Sequence, residues 1–432
     1  MSNPATPTPR LGRLARWLGI YRSVAVILLN LILLATFFNF GLYVVFLFRG
    51  PDPGMASAKP PSFPEASFAR VYPDMSPTER DLMLREVWTR PFVYRDYVLF
   101  KERPIDGKYV KVSEVGFRHV KNQGPWPPAP TNLNVFVFGG STTFGYGVPD
   151  EQTIPSYIQE GLSARSKKRV CIYNFGAGWY YSTQERILFE RMLTDGFVPH
   201  IALFIDGFND THSYYDRLPF SHRFGELFDD VNTPGFGRLV KSVVGRTPTG
   251  RAIRGLRGRL AARKNGDTQK QVEQALQKYL KNKELIEALC RQFNISPVFI
   301  WQPVPGYKYD LKYHLFAGRQ IDFNLAYGYS EMAKLPVERL GSHFIWAADL
   351  QENEKECLYV DANHYTAKFC KQIADFITQT VTQRKLFVVH GIKPAASSAP
   401  GAGSILEQRV DERRGAGAAE DDQYAEAQHE QD

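Results

Sequence analysis

The stretch VFVFGGSTTFGYG, residues 135–147, decides how the chain is read. Four apolar residues run into Gly139, Gly140 and Ser141, with further glycines at 145 and 147. A strand, a Gly-rich turn and a helix is the setting of a phosphate-binding loop, but the Gly-Lys-Ser/Thr ending is absent. It is also the setting of the nucleophile elbow of α/β-hydrolases, yet that turn needs glycine two positions either side of the serine, and residue 143 is threonine. Two readings stay open on these residues alone: a different serine-hydrolase turn, or a plain connection in which Ser141 caps the helix. The plain connection is the default, and the rest of the chain has to displace it.

Outward from this turn, short apolar runs bounded by turn residues recur: NVFVF at 134–138, RVCIYNF at 169–175, HIALFID at 200–206 and SPVFIW at 296–301. Such runs read as strands buried on both faces of a parallel sheet. Helical periods lie between them, with one face of Ile154, Ile158 and Leu162, a second of Ile187, Leu188 and Met192, and a third of Ile286, Leu289, Cys290 and Phe293. The alternation predicts an α/β fold with helices on both faces of a mostly parallel sheet. In such sheets ligands bind beyond the C-terminal strand ends, where Ser141 falls.

Three other unusual segments follow in order. NFGAGWYYSTQE, residues 174–185, and DGFND, residues 206–210, each follow a strand directly; VDANHYTAKFCKQIADFI, residues 360–377, places Asp-x-x-His before a helix marked by Cys370, Ile373, Ile377 and Val381. Singly, each has a plain explanation as turn, cap or solvated histidine. Their joint order does not.

Across residues 132–384 the sequence resembles the SGNH hydrolases, the GDSL-like esterases and lipases, whose four blocks carry Ser, Gly, Asn and His in that order. The Gly-Asp-Ser turn matches Gly139-Gly140-Ser141, the Gly-x-Asn-Asp block matches Gly207-Phe208-Asn209-Asp210, and the Asp-x-x-His block matches Asp361-Ala362-Asn363-His364. The resemblance implies a flavodoxin-like three-layer α/β/α fold, with Ser141 as nucleophile, His364 as base, Asp361 as its orienter and Asn209 as an oxyanion donor. Two positions depart from the pattern. Gly140 stands where the family has aspartate, and Trp179 stands where it has the glycine five residues after the strand-end asparagine, with Gly178 one before it. A backbone N–H donor does not require glycine, so the peptide of either Gly178 or Trp179 can complete the hole beside the N–H of Ser141.

The chemistry agrees with the resemblance. A hydroxyl becomes a useful nucleophile when an imidazole takes its proton, an aspartate fixes the imidazole tautomer, and fixed donors meet the charge on the carbonyl oxygen. The reaction class is acyl transfer from an ester-bearing small molecule, glycan or lipid. Water as acceptor makes an esterase and a polysaccharide hydroxyl makes an O-acyltransferase; a catalytically silent module that holds a glycan or lipid in the same cleft is the reading from a different class. No cofactor is called for.

Further out, residues 23–48 carry no charge and as a helix would cover the ~30 Å hydrocarbon core of a bilayer. Arg10, Arg13, Arg16 and Arg22 precede the run with no acid, which keeps the N-terminus cytoplasmic and puts the chain beyond the run outside the cytoplasm, in the periplasm or the extracellular space. The Ala56-Ser57-Ala58 sequence resembles a signal-peptidase site, but the apolar run exceeds the ~7–15 residues of a signal h-region, so an uncleaved anchor is expected. The expected organisation is a cytoplasmic N-terminus (1–22), a transmembrane helix (23–49), a linker (50–66), an extension packed on the catalytic domain (67–130), a hydrolase domain (131–392) with an insertion at 211–267, and a disordered tail (393–432).

The 432 residues are 44% hydrophobic and 13% aromatic, which excludes a wholly disordered chain. The net charge of +8 is uneven: residues 238–264 hold nine basic residues and no acid, either a solvated face or a contact for anionic lipid or glycan. No nucleic-acid-binding signature accompanies it, and none of the four cysteines is spaced as a zinc site. In an oxidising compartment Cys357 and Cys370 are candidates to pair. Oligomeric state is not encoded in any of these patterns.

Overall fold

The computed structural model describes residues 9–49, 65–212, 247–250, 252–253, 268–316 and 323–386. The linker as far as residue 64, most of the insertion and the whole expected tail lie outside them. The chain divides into two units, Met1–Ala56 with Phe220–Asp267, and Ser57–Pro219 with Thr268–Asp432.

In the first unit, helix α1 spans Pro9–Arg49, 41 residues, and so begins well before the uncharged run. Its segment Arg16–Val45 has a mean hydropathy of 2.2 over its most apolar window, none of which is buried, and is long and apolar enough to cross a membrane. Asn39 is a polar group within this run. Its side-chain oxygen accepts from Thr249 N at 3.1 Å and Thr249 Oγ1 at 2.9 Å, and its amide nitrogen donates to Ala35 O at 2.8 Å, so both ends of the amide are bonded within this unit.

The second unit opens with α2 (Glu65–Val71) and α3 (Pro77–Trp88). The start of α3 follows from its sequence: Ser76 Oγ accepts from Glu79 N at 3.3 Å, Glu79 Oε2 accepts from Ser76 N at 3.2 Å, and Pro77 sits where no N–H is needed. Two short hairpins follow, β1 (Val93–Arg95) with β2 (Leu99–Lys101), and β3 (Ile105–Asp106) with β4 (Lys111–Val112).

The main sheet is built from β5 (Leu133–Gly139), β6 (Val170–Asn174), β7 (Ile201–Asp206), β8 (Ser296–Trp301) and β9 (Phe344–Trp346). Its order is β6-β5-β7-β8-β9 and every pairing is parallel. Counted within the sheet this is 2-1-3-4-5, the flavodoxin-like order, whose direction reverses between β5 and β7. The connections carry α4 (Ser141–Phe144), α5 (Ile154–Ser163), α6 (Ser182–Thr194), α7 (Phe208–His212), α8 (Thr268–Phe293), α9 (Phe323–Ala333) and α10 (Val337–Leu340), and α11 (Ala367–Gln383) closes the described chain.

The two-residue period of a strand sorts the core into different chemistries on its two faces. Val135 and Val137, with Ile172, Leu203, Ile205, Val298 and Ile300, form an aliphatic core with Ile154, Ile158 and Leu162 of α5 and Ile373, Ile377 and Val381 of α11. The opposite face is aromatic: Phe138 stacks on Phe204 at 5.0 Å and Phe204 on Phe299 at 5.5 Å, neighbours set by strand register, and Phe189 of α6 meets Phe138 edge-on at 5.6 Å. Each such pair adds about 0.5–1.5 kcal/mol beyond its burial.

Two sequence expectations are corrected in detail, and the open question of the cysteines is answered by their thiols. On α6 the buried face is Leu188, Phe189 and Met192, with Ile187 only half-buried, because the helix also buries Gln184 and Glu185. On α8, Ile286 and Cys290 are buried, but Leu289 is half-buried and Phe293, the last residue, is 39% exposed. Cys357 and Cys370 are both free; the Cys357 thiol donates to Tyr359 O at 3.2 Å while Cys370 is buried in the aliphatic core.

Candidate active site

The order reversal between β5 and β7 places the turns after β5, β6 and β7 side by side, and the site is assembled there. Ser141 is the first residue of α4. The N-cap is Gly140, which makes no side-chain capping bond, so the serine hydroxyl is not occupied as a cap. It meets His364 Nε2 at 2.8 Å. The Nδ1 of the same imidazole lies 2.7 Å from Asp361 Oδ2 and 2.9 Å from Oδ1.

Asp361 and His364 are presented by a tight return of the chain before α11: Val360 N donates to His364 O at 2.8 Å, and Thr366, which donates its N–H to Leu358 O at 2.9 Å, caps α11 through its hydroxyl. Asp361 Oδ1 also accepts the N–H groups of Asn363 and His364, both at 2.9 Å. Burial pushes this carboxyl up, but the imidazole and the two peptide donors outweigh it and hold it below the ordinary aspartate value.

Gly140, where the family pattern has aspartate, has a local cause. A Cβ there would lie 2.5 Å from Asn209 Nδ2 and 3.2 Å from Tyr180 O, so any side chain would displace the Asn209 amide from its present place. Asn209, on α7, donates Nδ2 to Tyr180 O at 2.6 Å. Its neighbour Asp210 accepts from Ser182 N at 3.2 Å and Oγ at 2.5 Å, which ties α7 to the first turn of α6. Burial raises the Asp210 carboxyl to about 6, against the pull of those bonds.

The loop after β6 distinguishes the two candidate peptides by their hydrogen bonds. Phe175 N donates to Val137 O at 2.7 Å, Gly176 N to Asn174 Oδ1 at 3.0 Å, Ala177 N to Gly139 O at 3.0 Å and Tyr180 N to Ala177 O at 3.2 Å. Gly178 N donates to Glu102 Oε1 at 2.9 Å. The expectation that Gly178 could supply an oxyanion donor is therefore corrected: a buried carboxylate already takes that N–H. Among the described residues the Trp179 N–H has no hydrogen-bond partner. Trp179 adopts φ +67°, a left-handed conformation that costs a bulky residue about 1–2 kcal/mol. It is also the one exposed residue between positions 171 and 182, at 53%.

Ser141, His364, Asn209 and Trp179 line one cavity of about 470 Å³, with Trp88 and Phe208 among its apolar walls. No lysine, arginine, aspartate or glutamate side chain is among the described lining residues. In fold and in site the chain resembles the SGNH hydrolases. No protein-family model matches the chain, and no curated protein does.

Solved structures with some likeness to it include a putative lipolytic protein of the G-D-S-L family from Desulfitobacterium hafniense, 13% identical over 58% of this chain and 99% of its own, with a TM-score of 0.32. A psychrotrophic esterase from Pseudoalteromonas sp. is 13% identical over 58% and 98%, with a TM-score of 0.32. An acetylxylan esterase from Geobacillus stearothermophilus is 12% identical over 59% and 94%, with a TM-score of 0.33. At such TM-scores these likenesses carry no argument; the SGNH resemblance rests on the chain's own strand order and site geometry.

Several residues of this SGNH-like site come from the extension and were not singled out by sequence. Trp88 meets the His364 ring edge-on at 5.2 Å, and Tyr146 stacks on its face at 5.4 Å. Glu102 accepts from Tyr146 OH at 2.8 Å. Arg118, fully buried, donates to Phe144 O at 3.0 Å, Gly145 O at 2.7 Å and Val148 O at 2.7 Å, and pairs with Asp150 at 2.8 Å, so it holds the chain that leaves the serine turn. Nothing in the spacing of Trp88, Glu102 or Arg118 within the 67–130 extension points to a partner across the fold. No group of three or more His, Cys, Asp or Glu that could hold a metal ion occurs among the described residues.

Proposed function

We propose that this chain is a serine esterase. The observation that carries the reading is the continuous chain Ser141 Oγ, His364 Nε2, His364 Nδ1 and Asp361, with spacings of 2.8 and 2.7 Å, at the wall of a single cavity. His364 Nε2 takes the hydroxyl proton as Ser141 Oγ attacks the ester carbonyl. Asp361 keeps Nδ1 protonated and stabilises the imidazolium. The N–H groups of Ser141 and Trp179 and the Asn209 amide meet the charge on the carbonyl oxygen. His364 returns the proton to the leaving alcohol, and a water activated by the same imidazole then releases the acid from Ser141. A glycan hydroxyl in place of that water would give an acyltransferase from the same acyl-enzyme. The uncharged lining suits neutral acyl and acceptor groups.

The test is labelling of the full chain with a fluorophosphonate and mapping of the modified residue. Modification at Ser141 is the expected result. A folded protein that takes no label would return the cleft to the silent binding module.

The apolar helix and the arginines before it support a membrane anchor with a cytoplasmic N-terminus. A reporter enzyme active only outside the cytoplasm, fused after residue 66, is then expected to be active in cells. An inactive fusion that is stably expressed would reverse the orientation.

A further inference from the structure

Glu102 lies 76 residues from Gly178 in sequence and contributes no atom to the proposed reaction, yet it is buried to 1% exposure and its Oε1 accepts two bonds at the site. One comes from Gly178 N at 2.9 Å and the other from Tyr146 OH at 2.8 Å; Oε2 faces Arg90 Nη2 at 3.6 Å. The two donors lead to different halves of the chemistry. Gly178 precedes the Trp179 peptide, and the Tyr146 ring carries the His364 imidazole on its face.

We propose that Glu102 is a positioning residue: by taking the Gly178 N–H it holds Trp179 in its left-handed conformation and leaves the Trp179 N–H as the uncommitted peptide donor of the cavity-lining pair 178–179. The inference rests on the esterase reading given above. Its physical content is a competition for donors. Without an acceptor at 102 the buried Gly178 N–H loses its partner, and a loop that turns to satisfy it gives up the Trp179 conformation. A bulky residue does not keep φ +67° unless its neighbours over-determine it. The family position for this peptide is glycine, which takes such a conformation freely. A tryptophan here needs the external hold that Glu102 supplies.

The test uses the full chain with three substitutions. Glu102→Leu keeps bulk and removes the acceptor, Glu102→Gln keeps a carbonyl oxygen, and Tyr146→Phe removes the second bond while leaving the Gly178 bond. With an aryl ester, Glu102→Leu is expected to lower kcat by about 10², the worth of one oxyanion donor, with KM within about twofold. Its affinity for an arylboronic acid, which forms a tetrahedral adduct on the serine, should fall in parallel. Glu102→Gln should recover most of both losses, and Tyr146→Phe should lose less than tenfold.

Equal losses in the Leu and Gln variants would overturn the inference, because the buried charge rather than the acceptor would then matter. So would a folded Leu variant with wild-type kcat and boronate affinity. Amide hydrogen exchange on the wild-type chain is a second measurement that needs no variant. The Gly178 amide should be protected with and without boronate, and the Trp179 amide protected only with it; the reverse order overturns the inference even if Glu102→Leu does not fold. Absence of fluorophosphonate labelling in the wild type would instead count against the esterase reading itself, which keeps the two failures apart.

Discussion

Ser141→Ala is expected to reduce hydrolysis of a simple aryl ester by a factor on the order of 10⁴–10⁶ while leaving the melting temperature nearly unchanged. The size of the loss follows from geometry: among the described residues the Oγ is the one hydroxyl bonded to His364 Nε2, at 2.8 Å, and its removal leaves the imidazole nothing to activate. The small effect on stability follows from the cap. Gly140 occupies the N-cap of α4, and the Ser141 side chain makes no capping bond that alanine would forfeit. A serine serving only to start a helix would behave in the opposite way, with a stability loss of about 1 kcal/mol and full activity. Esterase rate and thermal unfolding measured on the same preparation separate the two, and a folded, fully active Ser141→Ala would remove the assignment of the nucleophile.

Asp361→Asn is expected to lower kcat by about 10⁴ through the tautomer of His364. The carboxylate now accepts from His364 Nδ1 and from the peptides of Asn363 and His364. An asparagine can still accept from the peptides, so the turn before α11 survives. Its NH₂, however, favours an unprotonated Nδ1, which puts the imidazole proton on Nε2, facing Ser141, where a base is needed. A second readout is the acid limb of stability. The folded carboxyl titrates below its ordinary value, so the native state binds fewer protons here than the unfolded chain. The stability this gives is present above the unfolded value of about 3.9 and is lost as pH falls through the lower folded value. Asp361→Asn should flatten that limb. A variant within tenfold of wild-type kcat would show that Asp361 does not orient the base.

The parallel sheet was legible because its strands are buried on both faces and so read as unbroken apolar runs: β8 covers the whole of the expected 296–301, and β5, β6 and β7 lie within a residue of their runs at each end. Strand β9 was not, since three residues, Phe344–Trp346, carry no period. Ser141, Asp361 and His364 were legible as candidates because each sits at a strand end or before a helix, positions that sequence marks with turn residues. The choice between Gly178 and Trp179 was not legible, because it turns on which N–H is already taken, and the group that takes it lies on the extension. Trp88 and Arg118 were hidden for the same reason: a lone tryptophan reads as core and a lone arginine as solvated surface until the fold brings them against His364 and the carbonyls of 144, 145 and 148. The exposure of Phe293 was missed because an apolar period continues to the end of α8 after the packing stops.

Arg118 also bears on where this chemistry could be cut out and moved. Its guanidinium satisfies three carbonyls in the stretch that follows the serine helix, and its own backbone N–H donates to Asn174 O at 2.8 Å, so one residue from before the sheet closes both the first and the second turn of the site. A transplant that began at the first core strand, near Asn132, would carry Ser141, Asp361 and His364 but lose this guanidinium: Phe144 O would keep Asn174 Nδ2 at 3.3 Å and Gly145 O the Val148 N–H at 3.2 Å, while Val148 O would lose the Arg118 donor, at roughly 1–3 kcal/mol. The smallest portable piece therefore includes Trp88, Glu102 and Arg118. In an engineered chimera the segment ahead of the sheet belongs with the catalytic cassette and not with the tether.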